Sequence, residues 1–169
     1  QSGSKNMKDP LGKVYLFADE FTNYNDSLIG IRAILLLEEL GYNVVIPRHR
    51  ESGRTFLSKG MLKRAKKVAE ANVEMLSGLI SADTPLIGIE PSAILTFRDE
   101  YPELVDEKLA ERARELGRKA LLIEEFLCRE YENGRISAKQ FTGDVRSIKL
   151  HGHCQQKSIA TTSVTISML

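Results

Sequence analysis

Cysteine is scarce in this chain of 169 residues: Cys128 and Cys154 are the only two. Two thiols make no disulfide framework, and their rarity points to a reducing compartment. Excess charge of either sign is also missing. Lys and Arg total 24 against 23 Asp and Glu, a formal charge of +1, which gives no electrostatic case for nucleic acid or an anionic membrane surface. No apolar run approaches the roughly 20 residues that a membrane span needs, and the start lacks a signal-peptide pattern. The expected location is the cytoplasm, with a peripheral place at the inner membrane face as the alternative. Gly-x-Gly-x-x-Gly and Gly-x-x-x-x-Gly-Lys-Ser/Thr are both absent, which removes support for a cradled nucleotide phosphate. Ser92 has no histidine that spacing marks as its partner, so a Ser-His-Asp arrangement has no basis. What is present is ordinary for a folded domain: 42% hydrophobic and 28% charged residues, in a length that fits one domain with a real core.

The stretch Leu86-Ile-Gly-Ile-Glu-Pro-Ser-Ala-Ile-Leu-Thr-Phe-Arg-Asp-Glu-Tyr-Pro102 organises the rest. Leu86 to Ile89 reads as a buried strand, broken by Glu90-Pro91-Ser92. Ile94, Leu95 and Phe97 then begin a new apolar face while Arg98, Asp99 and Glu100 stay polar. Such a turn puts polar side chains at the carboxyl end of a strand, the edge at which open α/β sheets bind ligands. The plainer account is a strand-to-helix turn with Pro91 at the first helical position and Arg98 in a surface ion pair.

Residues 1–12 are polar and aperiodic and read as a linker or expression remnant, leaving 13–169 as one α/β domain, a fragment of something larger. Val14 to Ala18 predicts a buried strand. Asp26 or Ser27 caps a helix carrying Leu28, Ile31, Leu35, Leu36 and Leu40, which Gly41 ends. Val44-Val-Ile46 predicts a second strand, so the unit is βαβ. The next helix has Met61, Ala65, Val68, Met75 and Leu79 on one side and Lys59, Lys63, Lys66 and Lys67 on its solvated face. From Leu109 through Ala113, Leu116, Ala120, Ile123 and Leu127 a helical period runs on. Gly117 and Ala120 to Ile123 leave two arrangements open: one continuous helix, or two helices around a short extended piece. Asn133-Gly134 marks a turn, and Ile148-Lys-Leu150 is the fourth strand candidate. The expectation is a mainly parallel sheet of about four strands, near residues 14–18, 43–47, 86–89 and 148–152. Helices on both faces make it a Rossmann-like three-layer α/β arrangement. The last residues, 161–169, fit a helix or an alternating pattern and stop as though cut.

If the strands are parallel, four polar strand ends share one edge: Asp19 and Glu20, His49 to Arg54, Glu90 with Arg98, and His151 to Cys154. Glu90, Arg98 and Arg54 are the candidate cofactor-binding residues. His151-Gly-His-Cys154 is the one metal-like cluster, with His153 and Cys154 as candidate ligands for zinc or an iron–sulfur cluster. A complete site needs about four ligands, and Cys128 is predicted on a distant helix. A buried thiol beside two satisfied histidines accounts for the same residues.

Six motifs in order carry a resemblance. They are Phe17-Ala-Asp-Glu-Phe-Thr-Asn-Tyr24, Gly53-Arg-Thr-Phe-Leu-Ser-Lys-Gly60, Ile87-Gly-Ile-Glu-Pro-Ser92, Leu95-Thr-Phe-Arg-Asp-Glu-Tyr101, Glu124-Glu-Phe-Leu127 and His151-Gly-His-Cys154 with Lys157. Over about residues 14–166 the chain resembles the cysteine-rich (Cys-Cys-Gly) domain of FAD-linked, iron–sulfur oxidoreductases. That group includes the glycolate oxidase iron–sulfur subunit and the D-2-hydroxyacid dehydrogenase-like proteins. The resemblance implies two similar α/β halves, each offering cysteines to a cluster or another metal, with FAD held by a separate domain or subunit. This chain corresponds to the first half and the start of the second.

It departs from the pattern where thiols are expected: Glu51-Ser52-Gly53-Arg54 stands for Cys-Cys-Gly-Arg, and Glu90-Pro91-Ser92-Ala93 for Glu-Pro-Ser-Cys. The first half is therefore expected to bind no metal. Cys154 matches the opening cysteine of the second half, with Gln155 where a histidine commonly follows. The implied function is part of the electron-transfer domain of a glycolate- or lactate-type oxidoreductase, inactive alone and without a cofactor as this fragment. FAD and the iron–sulfur cluster belong to the full-length parent, and the partners are its flavin domain and an unidentified electron acceptor. Two other readings stand beside it: a metal-free docking module for a flavin subunit, and a zinc–thiol domain of heterodisulfide-reductase type.

Overall fold

The run Val14-Tyr-Leu-Phe17 is apolar at every position, as a strand buried on both faces requires. In the computed structural model, which describes residues 10–144, 147–160 and 162–167, its first three residues belong to β1 (Gly12–Leu16), an inner strand of a sheet. β2 (Tyr42–Val45), β3 (Leu86–Gly88) and β4 (Ala120–Leu122) complete a four-stranded sheet in the order β2-β1-β3-β4. All three pairings are parallel, with Val14 opposite Val44, Tyr15 opposite Leu86 and Ile87 opposite Leu121. The α/β class and the parallel sheet expected from the sequence are what the chain forms.

Alternation along the strands sorts the core into two layers. Val14 and Ile87 face α2 (Ser27–Glu39) and α8 (Ile123–Glu132), packing with Leu37, Leu40, Phe126 and Leu127. Tyr15, Phe17 and Leu86 face the other way, against α4 (Leu62–Leu76) and α7 (Glu107–Arg118) through Ala69, Val73, Ala113 and Leu116. Short helices fill the loops at the carboxyl ends of the strands: α1 (Glu20–Tyr24), α3 (Arg54–Ser58), α5 (Pro91–Ile94) and α6 (Glu100–Leu104). A 3₁₀ turn at Leu95–Phe97 follows α5, and α9 (Cys154–Ile159) and α10 (Thr162–Ser167) come last.

The structure corrects the fourth strand. Residues 147–150 have no regular structure, and Ile148 and Leu150 lie exposed. The open β3 edge is taken by Ala120-Leu121-Leu122 instead, whose Ala120 and Leu122 are fully buried. Burial separates the candidates: 120–122 arrives at the sheet directly off α7, while 148–150 reaches no vacant buried edge.

Two helices also bury other residues than their apolar patterns suggest, α2 a different side and α4 only part of the expected one. In α2 the buried residues are Gly30, Ala33 and Leu37, followed by Leu40, whereas Leu28, Ile31, Leu35 and Leu36 are exposed. The small side chains at 30 and 33 allow close approach; Gly30 sits against the Thr22 side chain. In α4 the inward stripe is Ala65, Ala69, Asn72, Val73 and Leu76, and the flanking Met61 and Leu79 are exposed.

One buried ion network joins β2 to α8. The Tyr42 hydroxyl donates to Glu130 Oε2 at 2.5 Å, and Arg135 and Arg129 close on the same carboxylate at 2.6 and 3.1 Å. Burial alone raises a carboxylate's pKa, but the hydrogen bonds from Tyr42 and Arg135 and the two guanidinium charges outweigh it and hold Glu130 below its ordinary 4.5. A depressed folded-state pKa contributes stability above the unfolded value, lost as pH falls through the folded one. Asp19 has the opposite sign: burial raises it above 3.8, so its contribution is present in acid and lost as pH rises. Glu130→Gln is therefore expected to be less stable than the parent chain near neutrality, with the gap closing as pH falls below the ordinary carboxylate value of 4.5. Urea midpoints from neutrality down through that value check it; a gap that stays constant with pH would remove Glu130 as the source.

Candidate functional site

The carboxyl ends of the strands carry a connected polar network, assembled from short loops. After β1, Asp19 caps α1: its Oδ1 accepts from the Phe21 and Thr22 amides at 2.9 and 3.0 Å, and its Oδ2 from the Thr22 hydroxyl at 2.6 Å. That capping fixes the direction of Glu20, which crosses to the loop after β2. There it accepts from Ser52 N at 2.8 Å and Ser52 Oγ at 2.6 Å. Ser52 is fully buried. The next residue, Gly53, has φ +79°, a left-handed conformation that side chains rarely adopt, and it directs Arg54 into α3. Arg54 then pairs with Glu100 at the start of α6.

After β3, Glu90 caps α5 and accepts from the Ser92 hydroxyl at 2.8 Å, with Pro91 at the first helical position as the sequence predicts. α9 lies across this edge. His153 Nε2 is 3.8 Å from Glu90 Oε1, and Gln155 Nε2 donates to Glu100 Oε1 at 3.1 Å. Gln156 donates to Glu124 Oε1 at 2.9 Å, at the beginning of α8. Through α9 the structure thus connects Glu90, Glu100 and Arg54. The fourth strand end contributes Glu124 to this edge. His151 and Cys154 are exposed, and Cys154 opens α9.

Arg98 stands elsewhere. α5 and the 3₁₀ turn carry it past β3, where Nε donates to Ala120 O at 2.8 Å and the guanidinium forks onto Glu125. Glu125 in turn accepts from Leu122 N at 2.9 Å, so the pair fastens the β4–α8 turn. Beside it is an open groove of about 510 Å³ lined by Arg98, Arg118, Leu121, Glu125, Cys128 and Arg129, among others. Cys128 is half-buried on α8. Burial, together with the neighbouring Glu132 charge, pushes its thiol above the ordinary value. All three arginines are engaged by carboxylates.

Two members of the network are not legible in the sequence as such: Glu100, and Asn72, whose Oδ1 accepts from Arg50 N at 2.7 Å and whose Nδ2 donates to Glu51 O at 2.9 Å. Asn72 leaves a signal, being a polar residue inside the buried stripe of α4. Ala93, at the position of an expected cysteine, is fully buried in the core, and Ser52 is sealed by Glu20. Among the described residues no group of three or more His, Cys, Asp or Glu is placed to hold a metal ion. The donors present therefore do not fit an iron–sulfur cluster held by this chain alone. No helix among the described residues is long and apolar enough to cross a membrane.

A parallel α/β sheet with its polar groups gathered at one edge is found here in a chain similar to portions of dehydrogenases. It is 27% identical over 156 residues to the D-2-hydroxyglutarate dehydrogenase of Escherichia coli (strain K12), covering 92% of this chain and 14% of that protein. The D-2-hydroxyglutarate dehydrogenase of Haemophilus influenzae is 30% identical over 95 residues, 56% of this chain and 9% of that one. One component of the anaerobic glycerol-3-phosphate dehydrogenase of Escherichia coli (strain K12) is 28% identical over 96 residues, 56% of this chain and 24% of that component. The chain spans less than a quarter of the length of each of these relatives. No family model matches it, and no solved structure does.

Proposed function

We propose that the chain from β1 onward is part of the cysteine-rich, electron-transfer domain of an oxidoreductase acting on a 2-hydroxy acid. The observation that supports it is the alignment of 92% of the chain with a dehydrogenase named for D-2-hydroxyglutarate. The substrate class is that of glycolate, lactate and 2-hydroxyglutarate. In the parent, FAD on a separate domain or subunit supplies hydride acceptance, and an iron–sulfur cluster supplies single-electron transfer toward an acceptor. The parent is read as a cytoplasmic protein. This chain's own residues bring two candidate cluster ligands, Cys154 and His153, to the carboxyl edge of the sheet, and the rest of a ligand set must come from elsewhere in the parent.

In the full-length parent, Cys154→Ser is expected to abolish iron loading and acceptor reduction while substrate still reduces the flavin. Cys128→Ser, on α8 beside Glu132, leaves all three intact. Iron assay and stopped-flow flavin reduction separate the two variants. Normal iron in the Cys154 variant counts against the ligand role and favours a second reading, a docking module without metal. The closed Glu20–Ser52 bond and the buried Ala93 support that second reading, since both fill positions where thiols are expected.

A further inference from the structure

Helix α2 presents an apolar strip to solvent. Leu28 is 70% exposed, Leu35 58%, Ile29 and Ile31 52% each, and Leu36 36%. Leu28, Ile31 and Leu35 follow i, i+3, i+7 spacing and Ile29 and Leu36 follow i, i+7, so the five form one continuous outward side. The opposite side, Gly30, Ala33 and Leu37, is already used against the sheet. The outer face of a helix in a three-layer α/β protein is normally polar, and an apolar strip of this extent marks an interaction surface.

Charge along the strip identifies what covers it. Arg32 and Glu39 are exposed, seven residues apart, and therefore in line on the same outward side. Neither forms an ion pair among the described residues. A two-fold axis requires that if residue i meets residue j, then j meets i. An antiparallel α2 pair centred beside Leu35 and Leu36 satisfies that condition. Arg32 of each copy faces Glu39 of the other, Leu35 faces Leu36, and Leu28 and Ile31 extend toward the far end of the opposing helix. The exposed Leu11, whose amide bonds to Gly41 O just past that end, continues the apolar surface.

We infer that the α2 face is a homotypic interface through which a second copy of this chain docks. This does not depend on the proposed function. Sedimentation velocity on the 169-residue chain is expected to show a concentration-dependent monomer–dimer equilibrium. Leu35→Glu, at an exposed position that leaves the core untouched, is expected to be monomeric with unchanged circular dichroism. Arg32→Glu and Glu39→Arg are each expected to weaken dimerisation about tenfold, and the double exchange Arg32→Glu/Glu39→Arg to recover most of that loss. Recovery is the decisive readout, because only pairing between two copies brings 32 against 39. A wild-type monomer at about 200 µM would overturn the inference and assign the strip to another part of a longer polypeptide. Open-ended aggregation without a discrete dimer, or a double variant as weak as the single ones, would overturn it too.

Discussion

Gly117→Ala is expected to cost the fold about 3 kcal/mol, the upper end of what overpacking a dense interior brings. Helix propensity works the other way, since alanine inside a helix is favoured over glycine by about 1 kcal/mol. Geometry decides between the two effects. A Cβ at residue 117 would sit 2.5 Å from Phe97 O, 3.2 Å from Phe97 C and 3.0 Å from Arg98 Cα. All three are backbone atoms, so no side chain can swing aside. α7 or the 3₁₀ turn must move as a body, and both are tied into the buried core through Phe97 and Leu116. That movement also pulls Arg98 from Ala120 O and loosens the β4–α8 turn. Gly78→Ala is the control, because nothing lies within 4 Å of a Cβ there. Urea denaturation of both variants checks the expectation; a Gly117→Ala chain as stable as its parent would show that α7 has room to yield.

The same crowding explains what can be read from the sequence and what cannot. β1 and β3 are near-continuous apolar runs, a pattern that belongs to strands buried on both faces, and both are legible. β4 is not, because three residues between two helices carry too little period to tell an extended piece from a helical turn. The run at 148–150 is equally short, with Lys149 between its two apolar residues, and tertiary burial decides against it. The buried side of α2 is hidden for a related reason. A helix with apolar residues on both its inner and outer sides shows no clear inside in sequence, and the choice falls to the small side chains at 30 and 33.

The strand-end edge is readable as a location because parallel strands bring their carboxyl ends together. Glu90 and Arg54 do lie on it, and α9 connects them through His153, Gln155 and Glu100. Arg98 shares a motif with Glu100 yet faces β4, because successive residues of a helical turn point about 100° apart. Sequence spacing assigns Arg98 to the edge, and helical rotation hands it to Glu125. The partners of the buried groups stay hidden, since Glu20 and Ser52 are 32 residues apart and only the folded sheet edge brings them together.

Asn72→Ala is expected to destabilise the chain by about 2–4 kcal/mol, more than a single hydrogen bond is worth, because it strands several buried groups at once. Asn72 is fully buried. Its Oδ1 accepts from Arg50 N at 2.7 Å, and its Nδ2 donates to Glu51 O at 2.9 Å and to the Tyr101 hydroxyl at 2.8 Å. Tyr101 passes the link on by donating to Ser52 O at 2.9 Å. Burial holds the Tyr101 phenol well above its ordinary pKa despite the Asn72 bond, and nearby carboxylates add to the effect, so it remains a neutral donor. One amide thus fixes the backbone of residues 50–52, the loop that stands where thiols are expected. The amide has to be an amide. Asn72→Asp keeps the acceptor for Arg50 N but loses the donors, and it sets a carboxylate against Glu51 O. Asn72→Asp is therefore expected to be at least as unstable as Asn72→Ala near neutrality and to regain stability as acid protonates it. Hydrogen exchange of the 50–54 amides, read beside urea midpoints, separates loss of the loop from loss of the whole fold. Unchanged protection of those amides in both variants would show that Glu20 and Gly53 shape the loop without Asn72.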